Sequence, residues 1–194
     1  MRLLPRFLLL LLLTAAIARA AAVGPVTVLP ADSLYHLVAG FVDQEGRGFQ
    51  LAQRRGRPQL VSMFYTSCAY VCPLIVDSAK GVQHALPSAQ QGSLDILLVS
   101  MDPARDDVAA LKSVFARRQL DAATWTLART DAAAVRKLAA LLGVRYRALA
   151  DGEFNHSSVL VLLDREGRRV ASTTRLGSIP DPAFMAAVDA LLGQ

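Results

Sequence analysis

From residue 59 onward the chain alternates short apolar runs with helix-patterned segments, and its only two cysteines, Cys68 and Cys72, stand at the first junction between the two. The run 59–65 (Gln-Leu-Val-Ser-Met-Phe-Tyr) reads as a buried strand, and the segment from Pro73 to about Leu86 reads as a helix. Two thiols four positions apart at such a junction are expected on one face of the first helical turn. A helix N-terminus favours thiolate over thiol, so both sulfurs are expected to be nucleophilic and able to bind metal. A stapling disulfide gains most when it closes a long loop. For so close a pair, redox or metal chemistry is therefore expected ahead of a purely structural link.

The rest of the chain extends the alternation. Segments 37–43 and 48–52 flank the polar turn 44–47 as a hairpin. Apolar strands follow at 60–65, 94–99, 125–127, 144–149 and 158–163, with helices at 106–120 and 131–142 between them. The latter helix is capped by Thr130 or Asp131 and stopped at Gly143. The turn 164–167 leads strand 158–163 into 168–174 as an antiparallel hairpin, and 182–192 closes the chain as a helix. Alternating strands and helices imply a largely parallel sheet covered on both faces. The expected fold class is α/β: a thioredoxin-like mixed sheet flanked by helices, with an added N-terminal β-hairpin.

Residues 1–20 read as a secretory signal. Arg2 and Arg6 form a basic start, 7–18 is a leucine-rich apolar run, and Ala18-Arg19-Ala20 is a small-x-small cleavage site. Cleavage is expected after Ala20 or Ala22, leaving a linker at 21–33 and one domain at 34–194. The apolar run is shorter than the ~20 residues that span a bilayer. A periplasmic or exported location follows, membrane-anchored if the leader is retained. The leader also inflates the charge. The chain carries 21 Lys and Arg against 16 Asp and Glu, and Arg2, Arg6 and Arg19 belong to the leader, which leaves 18 against 16, or +2. With few aromatics and no basic stripe, nucleic acid is not an expected partner. The cluster Arg54-Arg55-Gly56-Arg57 is expected to be a solvated turn.

Three histidines are available as further ligands. His156 lies in 151–158, expected as a loop ahead of an apolar strand. In a thioredoxin-type arrangement that loop packs beside the start of the cysteine helix, so two thiolates and one imidazole converge. This donor set suits Cu(I), which accepts three ligands and prefers soft ones, whereas zinc would want a fourth ligand or a water. His84 is three turns from Cys72, about 18 Å at 1.5 Å per residue, and cannot share a site with it. His36 is likewise a bystander. Asp102 and Asp106 read as caps of the next helix, and Met101, at a strand end, as core.

The strings Tyr65-Thr66-Ser67-Cys68-Ala69-Tyr70-Val71-Cys72-Pro73 and Asp102-Pro103-Ala104-Arg105-Asp106, followed by His156 ahead of an apolar strand, resemble the SCO/SenC family over residues 34–192. These are exported or membrane-anchored copper-binding proteins of thioredoxin fold that help to assemble cytochrome c oxidase. The resemblance implies Cys68, Cys72 and His156 as copper ligands and Cys68 with Cys72 as a redox pair able to form a disulfide bond. It implies the oxidase copper-site subunit, or another copper protein, as client, and a periplasmic thiol as reductant. Asn155 stands where the family usually has Asp, which removes a negative charge near the metal and is expected to weaken binding or shift the redox potential. Ala69 stands where many members carry Pro. The leading expectation is an exported Cu(I) metallochaperone. The alternative is a thiol–disulfide reductase in which Cys68 attacks and Cys72 resolves. A peroxidase fits less well, since Thr66 is only two residues ahead of Cys68.

Overall fold

A computed structural model describes residues 28–68 and 71–193. The expected leader, and the linker up to residue 27, lie outside the described residues. The N-terminal hairpin is formed by β1 (Phe41–Asp43) and β2 (Gly48–Phe49). It is shorter than its apolar pattern suggests: 37–40 lie outside β1, and Leu51–Arg54 takes a 3-10 turn that buries Leu51. The main alternation is β3 (Gln59–Phe64), α1 (Val71–Ala85), β4 (Asp95–Ser100), α2 (Val108–Arg117), β5 (Trp125–Arg129) and α3 (Ala132–Leu142). It is followed by β6 (Tyr146–Ala148), β7 (Phe154–His156), β8 (Leu160–Leu163), β9 (Arg169–Thr173) and α4 (Pro182–Leu192).

Seven of these strands form one mixed sheet in the order β2-β1-β5-β4-β3-β8-β9. Parallel pairing is confined to β5, β4 and β3; β1 joins β5 antiparallel, and β8 joins β3 antiparallel. Every residue of β3 is buried, as is all of β4 after Asp95, the continuous pattern of strands covered on both faces. Helix α1 packs on β3, α2 on β5 and β1, and α4 on β9. The N-terminal hairpin thus extends the sheet at the β5 edge, as expected of the fold class.

The segment around 144–149 does not enter the main sheet. Its three central residues pair antiparallel with β7 as a separate two-stranded hairpin, with Tyr146 opposite His156 and Arg147 opposite Asn155. And α2 is capped by Asp107, whose carboxylate accepts the Ala110 N–H, not by Asp102 or Asp106. Asp131 caps α3 by accepting from Ala133 and Ala134, and Gly143 ends it in the left-handed conformation, as the sequence predicts.

The basic cluster 54–57 is a turn, as expected, and is solvated at Gly56 and Arg57, but its arginines are all engaged. Arg54 donates to Gln59 and Thr126, Arg55 pairs with Glu166, and Arg57 grips Asp95 and the Gly92 carbonyl. It ties the start of β3 to β4 and to the β8–β9 turn. Met101 is core, and its N–H donates to the Phe64 carbonyl.

Candidate metal centre

Strand β3 ends at Phe64, and the chain leaves the sheet through Tyr65, Thr66, Ser67 and Cys68 before α1 begins at Val71. The two cysteines therefore do not both lie in the helix, as the spacing suggested. Cys72 sits in its first turn and Cys68 precedes it. They are still joined through the backbone: the Cys72 N–H donates to Cys68 Sγ at 3.3 Å, and the Tyr65 N–H donates to Cys72 Sγ at 3.3 Å. Each sulfur thus accepts a hydrogen bond from a backbone N–H.

Burial separates the two sulfurs. Cys72 is 4% exposed and Cys68 is half-buried. Burial pushes the Cys72 thiol well up from its ordinary range, and the N–H of Tyr65 offsets only part of that. This corrects the expectation of two thiolates. At Cys72 desolvation outweighs the helix N-terminus, and a metal ion must displace its proton.

His156 arrives from the β6–β7 hairpin, not from a loop. Its ring meets the Tyr65 ring edge-on, with centroids 5.8 Å apart. Nδ1 lies 3.2 Å from the Ser157 carbonyl and 3.4 Å from Ser158 Oγ. A carbonyl neighbour favours the tautomer protonated at Nδ1, which leaves Nε2 as the metal-competent nitrogen. The ligand atoms of Cys68, Cys72 and His156 all lie within 4.8 Å of one another. His84 is exposed at the end of α1, and His36 bonds the Pro30 carbonyl at 2.9 Å; neither belongs to this group.

Several residues to which the sequence assigned no such role build the surroundings. Tyr65 is packed between Phe154 and His156, and its hydroxyl donates to Glu153 Oε2 at 2.7 Å. Burial, then this hydrogen bond, raises the phenol above its ordinary range and keeps it a neutral donor. Arg105 pairs with Asp102, donates to the Gly152 carbonyl, and lies over the Phe154 ring at 5.9 Å. Asp106 is fully buried; its carboxylate accepts from the N–H and the hydroxyl of Thr66 and from Ser100 Oγ. The 102–106 string is therefore a brace. Asp106 holds the cysteine loop, and Arg105 holds the histidine hairpin. A cavity of about 570 Å³ opens between them, lined by Cys68, Val71, Glu153, Phe154, Asn155 and His156 among others.

The family model described as SCO1/SenC matches residues 39–191. The chain belongs to the SCO1/SenC family. Solved structures agree with the fold. A protein from Aquifex aeolicus VF5 assigned to electron transfer is 25% identical, with a TM-score of 0.68 over 87% of this chain and 93% of that one. Bradyrhizobium japonicum ScoI, solved with copper bound, is 23% identical, with a TM-score of 0.65 over 79% of this chain and 96% of that one. A Stutzerimonas stutzeri protein whose name describes copper binding is 29% identical over 72 residues, 37% of this chain and 35% of that protein. That match spans about a third of the relative's length.

Within this SCO1/SenC domain the sheet explains the convergence. Strand β3 lies between β4 and β8, so the loop leaving β3 is flanked by the 102–106 string after β4 and by the segment that enters β8. His156 precedes β8 by only a few residues and is carried to the same end of the sheet. Among the described residues no helix is long and apolar enough to cross a membrane.

Proposed function

We propose that this protein is an exported carrier of Cu(I), held by Cys68 Sγ, Cys72 Sγ and His156 Nε2, that assists assembly of the copper centre of cytochrome c oxidase. The observation that carries the reading is that a ligand atom from each of Cys68, Cys72 and His156 lies within 4.8 Å of the other two. Membership of the SCO1/SenC family and the copper bound by a structural neighbour support it. Two thiolates and one imidazole form a soft, three-point donor set that suits Cu(I) and leaves zinc one ligand short.

Exposure suggests how cargo is exchanged. Cys68 and His156 are half-buried and line the open cavity, while Cys72 lies beneath. An incoming ligand from a client meets the ion on the Cys68–His156 side, and Cys72 is the last donor to let go. Binding releases the Cys72 proton, and release of copper returns it. The leader at 1–20 supports export. In an oxidising compartment the pair must be kept reduced to bind copper.

The test is an anaerobic competition titration of the reduced protein against a coloured Cu(I) chelator. One-to-one binding is expected, abolished by Cys68→Ser or Cys72→Ser and weakened by His156→Ala. Unchanged affinity in Cys68→Ser would sink the reading.

The second reading, thiol–disulfide exchange, is favoured by the unequal exposure of the sulfurs. Cys68 is the accessible partner, suited to form a mixed disulfide, and buried Cys72 is placed to resolve it. Thiol exchange that survives His156→Ala and fails with either cysteine change would identify this activity.

A further inference from the structure

Cys68 borders a second cavity, which His156 does not line. It has a volume of about 220 Å³, and its lining includes Cys68, Cys72, Val76, Val114, Arg117 and Arg118. It differs from the histidine-side cavity in two respects. Both cysteines line it, whereas only Cys68 lines the other, and its charged lining is two arginines.

The arginines are incompletely spent. Arg117 donates to Ser113 Oγ at 2.8 Å, a neutral partner. Arg118 pairs with Asp77 and contacts the Pro73 carbonyl, yet its Nε is buried without a hydrogen-bond partner among the described residues. Two guanidinium groups against one carboxylate leave a net positive charge beside the sulfurs. The nearby Asp106 carboxylate does not line the cavity and is engaged by Thr66 and Ser100. A buried donor without a partner costs free energy that an incoming acceptor recovers. The volume lies below the 300–1,000 Å³ typical of sites for drug-sized ligands, so the cavity takes a small molecule. Val76 and Val114 give it apolar walls.

We propose that this cavity admits a small thiol bearing a carboxylate, which reduces the Cys68–Cys72 disulfide from the arginine side while His156 keeps its place. The inference rests on the redox reading of the pair. The carboxylate is held by Arg117 and Arg118. The thiolate of the small molecule attacks Cys68 Sγ; the Cys68–Cys72 bond breaks, and its electron pair leaves on Cys72 Sγ, which takes a proton from water. Cys68 is then in a mixed disulfide with the small thiol. A second such thiolate attacks the small-molecule sulfur of that bond. The small molecule leaves as its own disulfide, and Cys68 leaves as thiolate and is reprotonated. Two small thiols are oxidised, and one protein disulfide is reduced.

The experiment measures reduction of the oxidised protein by mercaptosuccinate, 2-mercaptoethanol and cysteamine, each rate corrected for its thiol pKa. Mercaptosuccinate is expected to lead 2-mercaptoethanol by about fivefold, the scale of one partly screened ion pair. Arg117→Gln should reduce that lead and Arg117→Glu abolish it, with the 2-mercaptoethanol rate within about twofold of the parent. Arg118→Lys, which keeps the charge toward Asp77, should retain part of the lead. No lead for the anionic thiol, or a lead that survives Arg117→Glu, overturns the inference. Mass measurement before any thiol is added shows whether the disulfide has formed. A pair that will not oxidise overturns the redox reading and this inference together. A disulfide that forms and is reduced without anionic preference overturns this inference alone.

Discussion

Arg105 holds the carbonyl of Gly152, four residues ahead of His156, while its ion pair with Asp102 anchors it at the end of β4. Gly152 has φ +85°, and a Cβ there would come within 3.0 Å of the guanidinium. The turn thus needs glycine both for its backbone and for the approach of Arg105. Through this contact a residue with no place among the ligands sets where the β6–β7 hairpin stands.

Arg105→Ala should therefore weaken Cu(I) binding by about tenfold, the usual scale for loss of a group that orients a metal ligand. The effect should be nearly absent in a His156→Ala background, because the arginine acts through that ligand. A double-mutant cycle of Cu(I) affinities checks this. Additive losses would mean that Arg105 acts elsewhere.

Asp106→Ala should cost stability more than affinity. Its buried carboxylate satisfies the Thr66 N–H, the Thr66 hydroxyl and the Ser100 hydroxyl, and the change leaves these donors unpaired, with Ser100 fully buried and Thr66 half-buried. A loss of about 3 kcal/mol is expected, read as a lower urea midpoint. Asp106→Asn keeps the shape and one acceptor oxygen and should cost less.

How far the sequence foretold this site depends on the range of the interactions. The strands β3, β4 and β8 are continuous apolar runs, legible because nothing but burial explains them. The strand β7 was not legible. Three residues, two of them polar, show no periodicity, and the segment is held by Tyr65 and Arg105, both distant in sequence. The choice among Asp102, Asp106 and Asp107 as cap was equally hidden. Each is a good N-cap residue, and only the tertiary demand of Thr66 for an acceptor decides which carboxylate turns inward. Burial of Cys72 was hidden for the same reason: helix position is local, and desolvation is not.

Gly81→Ala tests the seating of α1, the helix that carries Cys72. Alanine gains about 1 kcal/mol of helix propensity. Yet its Cβ would stand 2.5 Å from the carbonyl oxygen of Ser178, a backbone atom that cannot turn aside. Overpacking of this kind costs about 1–3 kcal/mol, so a net loss is expected, with a lower Tm. Gly92→Ala, where nothing lies within 4 Å, should be neutral or slightly stabilising. Equal Tm shifts for the two variants would contradict the close approach.

Asp164 gives the fold a pH dependence at the β8–β9 turn. Burial alone would raise its pKa, but the Arg168 N–H, the Arg168 guanidinium and the Glu166 N–H outweigh it and hold the carboxyl below its ordinary value. A carboxylate depressed in the folded state stabilises above the unfolded pKa, about 3.9. That stabilisation is lost as pH falls through the lower folded value. Asp164→Asn should therefore cost about 1 kcal/mol at pH 7, a figure kept small because Arg168 is solvent-exposed. The gap between the two proteins should close as pH drops below 4. Denaturation midpoints at pH 7, 5 and 3 read it directly.

Asn155→Asp introduces the acid expected before the histidine of the proposed site, and strand geometry predicts a small consequence. Phe154 and His156 both turn their rings to Tyr65, so the alternation of β7 sets Asn155 out of step with them, exposed at the rim of the cavity it helps to line. There it stands across from Arg147 on β6. An aspartate would form a cross-strand ion pair worth about 0.5 kcal/mol, and its charge would be partly neutralised before it reached the imidazole. Cu(I) affinity should stay within about threefold of the parent, since the field of an exposed charge is screened. A rise of tenfold or more in the chelator competition would mean that the new carboxylate turns toward His156 and that the hairpin is not held in the register seen here.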